Sequence, residues 1–139
     1  MGAGAVSMGT HDVIHDTGAV ASRLLMHDRD AVARAVTAAL YVASPELLER
    51  HGERGRDKCL QDMHYTIEHL IPAVDLGDPA LFIRYVEWLN GLLRARSVDT
   101  RDVARCLELI REQCTERFPR AEAEAIGAIL QAGLTVFAG

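Results

Sequence analysis

Apolar residues recur along this chain at intervals of three and four, the spacing that gathers them on one side of an α-helix. Phe82, Tyr85, Val86, Leu89, Leu92 and Leu93 follow that rule. So do Val103, Cys106, Leu107 and Ile110, and then Ile126, Ile129, Leu130, Leu134 and Phe137. Ala, Leu, Arg and Glu dominate, while Val and Ile are scattered, which favours helix over strand. The pattern predicts helices over about His11–His27 and Arg29–Val42, the second with Asp28 or Asp30 near its start. Ser44-Pro45-Glu46 opens a third, with Ser as cap and Pro in the first helical position. Gly52 and Gly55 loosen it, and a fourth runs from about Arg56 to Val74. Gly77-Asp78-Pro79 is the sharpest break. Asp99 and Thr100 cap a helix over Arg101–Arg117, Phe118-Pro119 ends it, and the last runs from about Ala121 to Phe137. No internal repeat interrupts the pattern. The expectation is an all-α, single helical domain over residues 11–139 behind a loose tail, residues 1–10.

Composition narrows the function more than the fold. A chain of 139 residues suits one domain with a real core. The net charge of -5, without a basic cluster, argues against nucleic acid and against an anionic membrane surface. No apolar run reaches membrane-spanning length. The 3 cysteines, Cys59, Cys106 and Cys114, are odd in number and show no C-x-x-C spacing. They imply neither a disulfide framework nor a zinc knuckle, and they fit a reducing, cytoplasmic setting. The opening MGAGAVSMGT has no basic or leucine-rich signal region and matches myristoylation poorly. His11 and His15 stand one helical turn apart, but the zincin Glu and a third ligand are missing, so a solvated helix start is expected and no metal site. Neither a phosphate-binding Gly loop nor a Ser-His-Asp signature occurs, and the chain is not expected to be an enzyme.

Residues 58–70 read KCLQDMHYTIEHL. On a helix, Cys59, Asp62, Met63, Thr66 and Leu70 form one stripe. Leu60, His64, Ile67 and Ile71 form the next, expected to face the core, with Gln61, Tyr65 and Glu68 further round. An aspartate beside a buried face is costly unless a partner donates hydrogen bonds to it. Two readings follow. In one, Asp62 pairs with Arg56, Lys58 or a distant cation, and Cys59 is a small buried hydrophobe. In the other, the stripe cradles a ligand.

The order Lys58-Cys59-Leu60-Gln61-Asp62, Tyr65, Ala73 and Gly77-Asp78 resembles the chromophore-bearing helix of phycobiliproteins, and more closely the photoglobins, bacterial globin-like relatives that lack haem. The likeness is carried by residues 56–78. It implies a globin-like fold, a linear tetrapyrrole such as biliverdin, and light signalling, often beside a cobalamin-binding domain. It implies that Cys59 matches the linking cysteine, Asp62 the carboxylate facing the pyrrole nitrogens, and Tyr65 the first tyrosine. Gln61 replaces the family's arginine, and Thr66 stands where a second tyrosine is common.

The chemistry expected of such a site is coherent. A carboxylate is the natural counter-ion of a protonated pigment, through charge-assisted hydrogen bonds of roughly 1.5–3 kcal/mol each. Met63, Leu70, Phe82, Tyr85, Val86 and Trp88 are expected to line its groove. Arg54, Arg56, Lys58 and Arg84 are candidates for its propionates. Arg56 and Lys58 would also favour the Cys59 thiolate. His64 and His69 offer ring nitrogens or stacking. Haem is disfavoured, because no histidine lies between Asp78 and the C-terminus. The expected partners are a second copy, through Val13, Val20, Leu24, Leu25 and the edge near Leu48, or a separately encoded effector. The competing expectation is a pigment-free, globin-like interaction module.

Overall fold

Glycine and proline mark the helix breaks at Gly77-Asp78-Pro79 and Phe118-Pro119, whereas Pro72 is carried inside a helix. The computed structural model describes the backbone of residues 10–138 and the side chains of residues 16–138. Of the expected tail, residues 1–10, Thr10 is the first residue of a helix, while residues 1–9 and the side chains of His11, Val13 and His15 lie outside the described residues. Among those described there are six α-helices: α1 Thr10–His27, α2 Arg29–Ala43, α3 Glu46–Leu76, α4 Pro79–Ala95, α5 Thr100–Arg117 and α6 Arg120–Leu134. A short 3₁₀ turn, Thr135–Phe137, follows. The protein is an all-α single domain, as the periodicity predicts.

The expected third and fourth helices are the two arms of α3, which meet at a kink at Gly52, as the glycines predict. Gly52 has φ 66° and ψ -170°, a non-helical conformation essentially restricted to glycine, so one helical arm stops there and the next sets off in a new direction. Helix α3 ends in a Schellman motif: Gly77 is left-handed, Asp78 N–H donates to the Ala73 carbonyl at 2.9 Å, and Gly77 N–H donates to that of Val74 at 3.2 Å. Asp78 then caps α4, accepting from Ala80 N–H at 3.1 Å, and Asp99 caps α5, accepting from Arg101 N–H at 2.9 Å. Ser44 does not cap α3. Pro45 holds that position and no side chain bonds to the helix start.

Helix α3 is central, packed against α1, α2, α4 and α6, while α6 also meets α1, α4 and α5. Close approach is bought with glycine at two crossings. A Cβ on Gly18 of α1 would meet the Val74 carbonyl oxygen of α3 at 2.7 Å. One on Gly133 of α6 would meet the Phe82 ring of α4 at 2.6 Å. The core joins Leu25, Val36, Ile67, Leu70, Phe82, Val86, Leu107, Ile110, Ile126 and Leu130, all buried. Leu25 is thus a core residue and is unavailable as a contact for a second copy. No helix among the described residues is long and apolar enough to cross a membrane.

Candidate functional site

Helices α3 and α5 do not pack closely against each other, and a cavity of about 230 Å³ lies between them. Leu40 and Tyr41 of α2 form one wall, and Leu89 and Leu93 of α4 another. Helix α3 supplies Leu47, His51, Gly55, Lys58, Cys59, Asp62 and Met63, and α5 supplies Asp102, Val103 and Cys106. The bend at Gly52 gives the first turns of α3 their own direction, and Leu47 and His51 from that arm join the lining. Gly55 makes room for His51 across the kink, since a Cβ there would clash with the His51 Cβ. A second, more polar cavity of about 540 Å³ is lined by Arg50, Arg94, Ser97, Asp99 and Thr100, and it shares His51, Val98 and Asp102 with the first. The two adjoin at those shared residues, the inner one apolar and the outer one carrying Arg50 and Arg94 beside Asp99 and Asp102.

Asp62 and Cys59 stand one turn apart on the cavity side of α3. The Asp62 carboxylate makes no hydrogen bond and no ion pair among the described residues. Burial pushes its pKa up, opposed by the charges of Lys58 and Arg96. The Cys59 thiol is shifted down, first by hydrogen bonding from the adjacent Cys106 thiol, against a burial effect of opposite sign. Cys106 moves well up, because its proton is held toward Cys59 and because it is buried. The pair thus favours one thiolate, on Cys59. Arg56 lies over the Tyr41 ring, 5.4 Å from its centre, a cation–π contact at the cavity wall.

Of the residues singled out by sequence, Lys58, Cys59, Asp62 and Met63 line the cavity, with Arg56 behind its Tyr41 wall. The others lie elsewhere. Thr66 is buried, donates to the Asp62 backbone carbonyl at 2.8 Å, and shares a hydrogen bond of 2.9 Å with the Tyr85 hydroxyl. Phe82 is fully buried core. Tyr85 stacks on His69 at 4.2 Å, and Trp88, 60 % exposed, tilts against Tyr85. Burial raises the Tyr85 pKa to about 12. Tyr65 is 49 % exposed and outside the cavity, and His64 pairs with Asp30 at 3.1 Å. The core-facing stripe is also shifted: Met63, Thr66, Ile67 and Leu70 are buried, whereas Leu60, His64 and Ile71 are half-buried.

Tyr41, His51, Leu89, Leu93, Arg96, Asp102, Val103 and Cys106 are cavity residues that the motif did not identify. The apolar ones and Cys106 carried only the periodicity signal, which does not say which helix end abuts a gap, and His51, Arg96 and Asp102 carried no signal at all. Among the described residues, no group of three or more His, Cys, Asp or Glu side chains is arranged to hold a metal ion. Compared with known proteins, the chain matches no family model and no curated protein.

Proposed function

We propose that this globin-like helical domain binds a linear tetrapyrrole of the biliverdin type and serves as a photosensory module. One observation carries the reading: a free thiol and an unpaired, desolvated carboxylate, Cys59 and Asp62, face the same largely apolar cavity. Asp62 is half-buried, and a carboxylate partly withdrawn from water without a donor is costly. A cationic ligand rich in N–H donors would relieve that cost, so the residues present fit such a group.

The inner cavity alone falls below the roughly 300–1,000 Å³ of pockets that enclose drug-sized ligands. The adjoining polar cavity supplies the remaining room. Asp62 holds the positive charge in the inner part, and Tyr41, Met63, Leu89 and Leu93 cover apolar faces. Arg50, Arg94, Arg96 and Lys58 hold carboxylates toward the outer part. Cys59 supplies the nucleophile for a thioether. When bound, the pigment supplies a double bond that light isomerises.

The protein's own part is to exclude water, fix the charge and pass a change of shape through α3 to its surface. Signalling of this kind needs no turnover, so the domain is not proposed to be an enzyme. A second copy or a separately encoded effector, such as a cobalamin-binding protein, receives the signal in the cytoplasm. The exposed Tyr65 and Trp88, outside the cavity, favour a second reading, an interaction module that needs no pigment.

Titration of the purified protein with biliverdin separates the two. The pigment reading expects a red-shifted, sharpened absorption band. A spectrum equal to that of free biliverdin at excess protein rejects it.

A further inference from the structure

Two thiols from different helices line the inner cavity, Cys59 on α3 and Cys106 on α5, close enough to bias each other's protonation. Cys106 is 5 % exposed and Cys59 is half-buried, so a small solute reaches the pair through Cys59. The motif in residues 56–78 accounts for Cys59 alone. The second thiol comes from a helix outside that motif and faces the same cavity. Cys114, the remaining cysteine, is buried and does not line either cavity, and burial pushes its thiol up to about 12. It is an unreactive internal reference.

We propose that Cys59 and Cys106 form a peroxide-responsive dithiol, whose oxidation to a disulfide withdraws Cys59 from the cavity as a nucleophile. The oxidant is a small hydroperoxide, hydrogen peroxide in the simplest case. The Cys59 thiolate attacks one peroxide oxygen, an S–O bond forms, the O–O bond breaks, and hydroxide leaves to take up a proton. The Cys106 sulfur then attacks the Cys59 sulfenic acid. The S–S bond forms, the S–O bond breaks, and the Cys106 proton leaves with hydroxide as water. Both thiols are oxidised and the peroxide is reduced to two waters. Tying α3 to α5 narrows the space beside Asp62. The oxidation itself needs no pigment; its effect on thioether formation rests on the bilin reading.

The full-length protein, reduced and freed of reductant, is treated with hydrogen peroxide, alkylated with iodoacetamide and mapped by mass spectrometry. The expected product is a Cys59–Cys106 cross-linked peptide that reductant reverses, with Cys114 alkylated only after denaturation. In Cys106→Ser, peroxide with dimedone gives an adduct at Cys59. Cys59 that stays fully alkylatable after peroxide, or oxidises without a cross-link while Cys106 stays free, overturns the proposal. The wild-type cross-link decides the matter if the variant does not fold. Biliverdin is then added to reduced and oxidised protein, and covalent pigment is read after denaturation. Covalent pigment on the reduced form only is expected, and equal attachment to both overturns the gating. A cross-link in protein that binds no pigment in either state removes the bilin reading and supports the dithiol.

Discussion

At the scale of single residues, Asp62 is held in a state it would not choose in water. Burial raises its pKa, so the folded protein takes up a proton more readily than the unfolded chain. The sign follows. Relative to a neutral side chain, Asp62 costs nothing below the ordinary carboxylate pKa, and the cost appears as pH rises through the folded value. Asp62→Asn is therefore expected to raise the urea midpoint at pH 7 and to match wild type near pH 3. The same variant is expected to blue-shift or weaken the biliverdin band. A lower midpoint at pH 7 would show that Asp62 has a stabilising partner, and an unchanged band would remove it as counter-ion. The Cys59–Asp62 spacing was legible in the sequence, because both sit on one helix. Cys106 was not, because its proximity to Cys59 depends on how α5 lies against α3.

At the scale of elements, two backbone positions carry testable strain. Ser97 has φ 61°, the one non-glycine residue with positive φ among those described. It ends α4 in a Schellman motif, with Val98 N–H donating to the Leu93 carbonyl at 2.9 Å and Ser97 N–H to that of Arg94 at 3.0 Å. Ser97→Gly is expected to stabilise by about 0.5–1 kcal/mol, since glycine takes this conformation without a Cβ clash. A urea midpoint at or below wild type would contradict that. Gly52→Ala is expected to cost on the order of 1–3 kcal/mol, although no atom blocks the new Cβ. Its open surroundings make this a backbone penalty alone, and an unchanged midpoint would mean that the arm carrying Leu47 and His51 relaxes freely. The glycines at 52 and 55 predicted an interruption from sequence. The conformation of Gly52 sets the direction in which the second arm leaves the first.

At the scale of the whole molecule, buried acids set an alkaline limit. Folding raises Cys114 from 9.0 to about 12 and Tyr85 from 10.0 to about 12. Their contribution to stability is complete below the unfolded values and is lost as pH rises through the folded ones. The urea midpoint is expected to fall steadily between about pH 9 and 12, and a flat profile there would show that both groups ionise in place. Association is the other property at this scale. Val20 and Leu48 keep exposed apolar surface, as do Met26, Leu76 and Trp88. A homodimer is expected, provided a two-fold contact buries on the order of 1,200–2,000 Å² in total. Light scattering at high micromolar concentration, with and without biliverdin, checks it; a monomer mass in both contradicts it.

By itself the sequence determined the helices, their breaks at Gly77-Asp78-Pro79 and Phe118-Pro119, and the placing of Cys59, Asp62 and Met63 on one side of α3. Those are local properties, fixed by a 3.6-residue period and by the backbone chemistry of Gly, Pro and Asp. Only the tertiary structure decided which apolar positions fill the core and which border a gap. Phe82 and Leu89 carry the same periodic signal on α4, yet Phe82 lies against Gly133 and Leu89 faces the cavity. Tyr85 turned from an expected groove residue into the partner of Thr66 and His69 for the same reason. Periodicity says that a side chain faces inward. What it meets there depends on the neighbouring helix, and on where a glycine lets two helices close or a bend holds them apart.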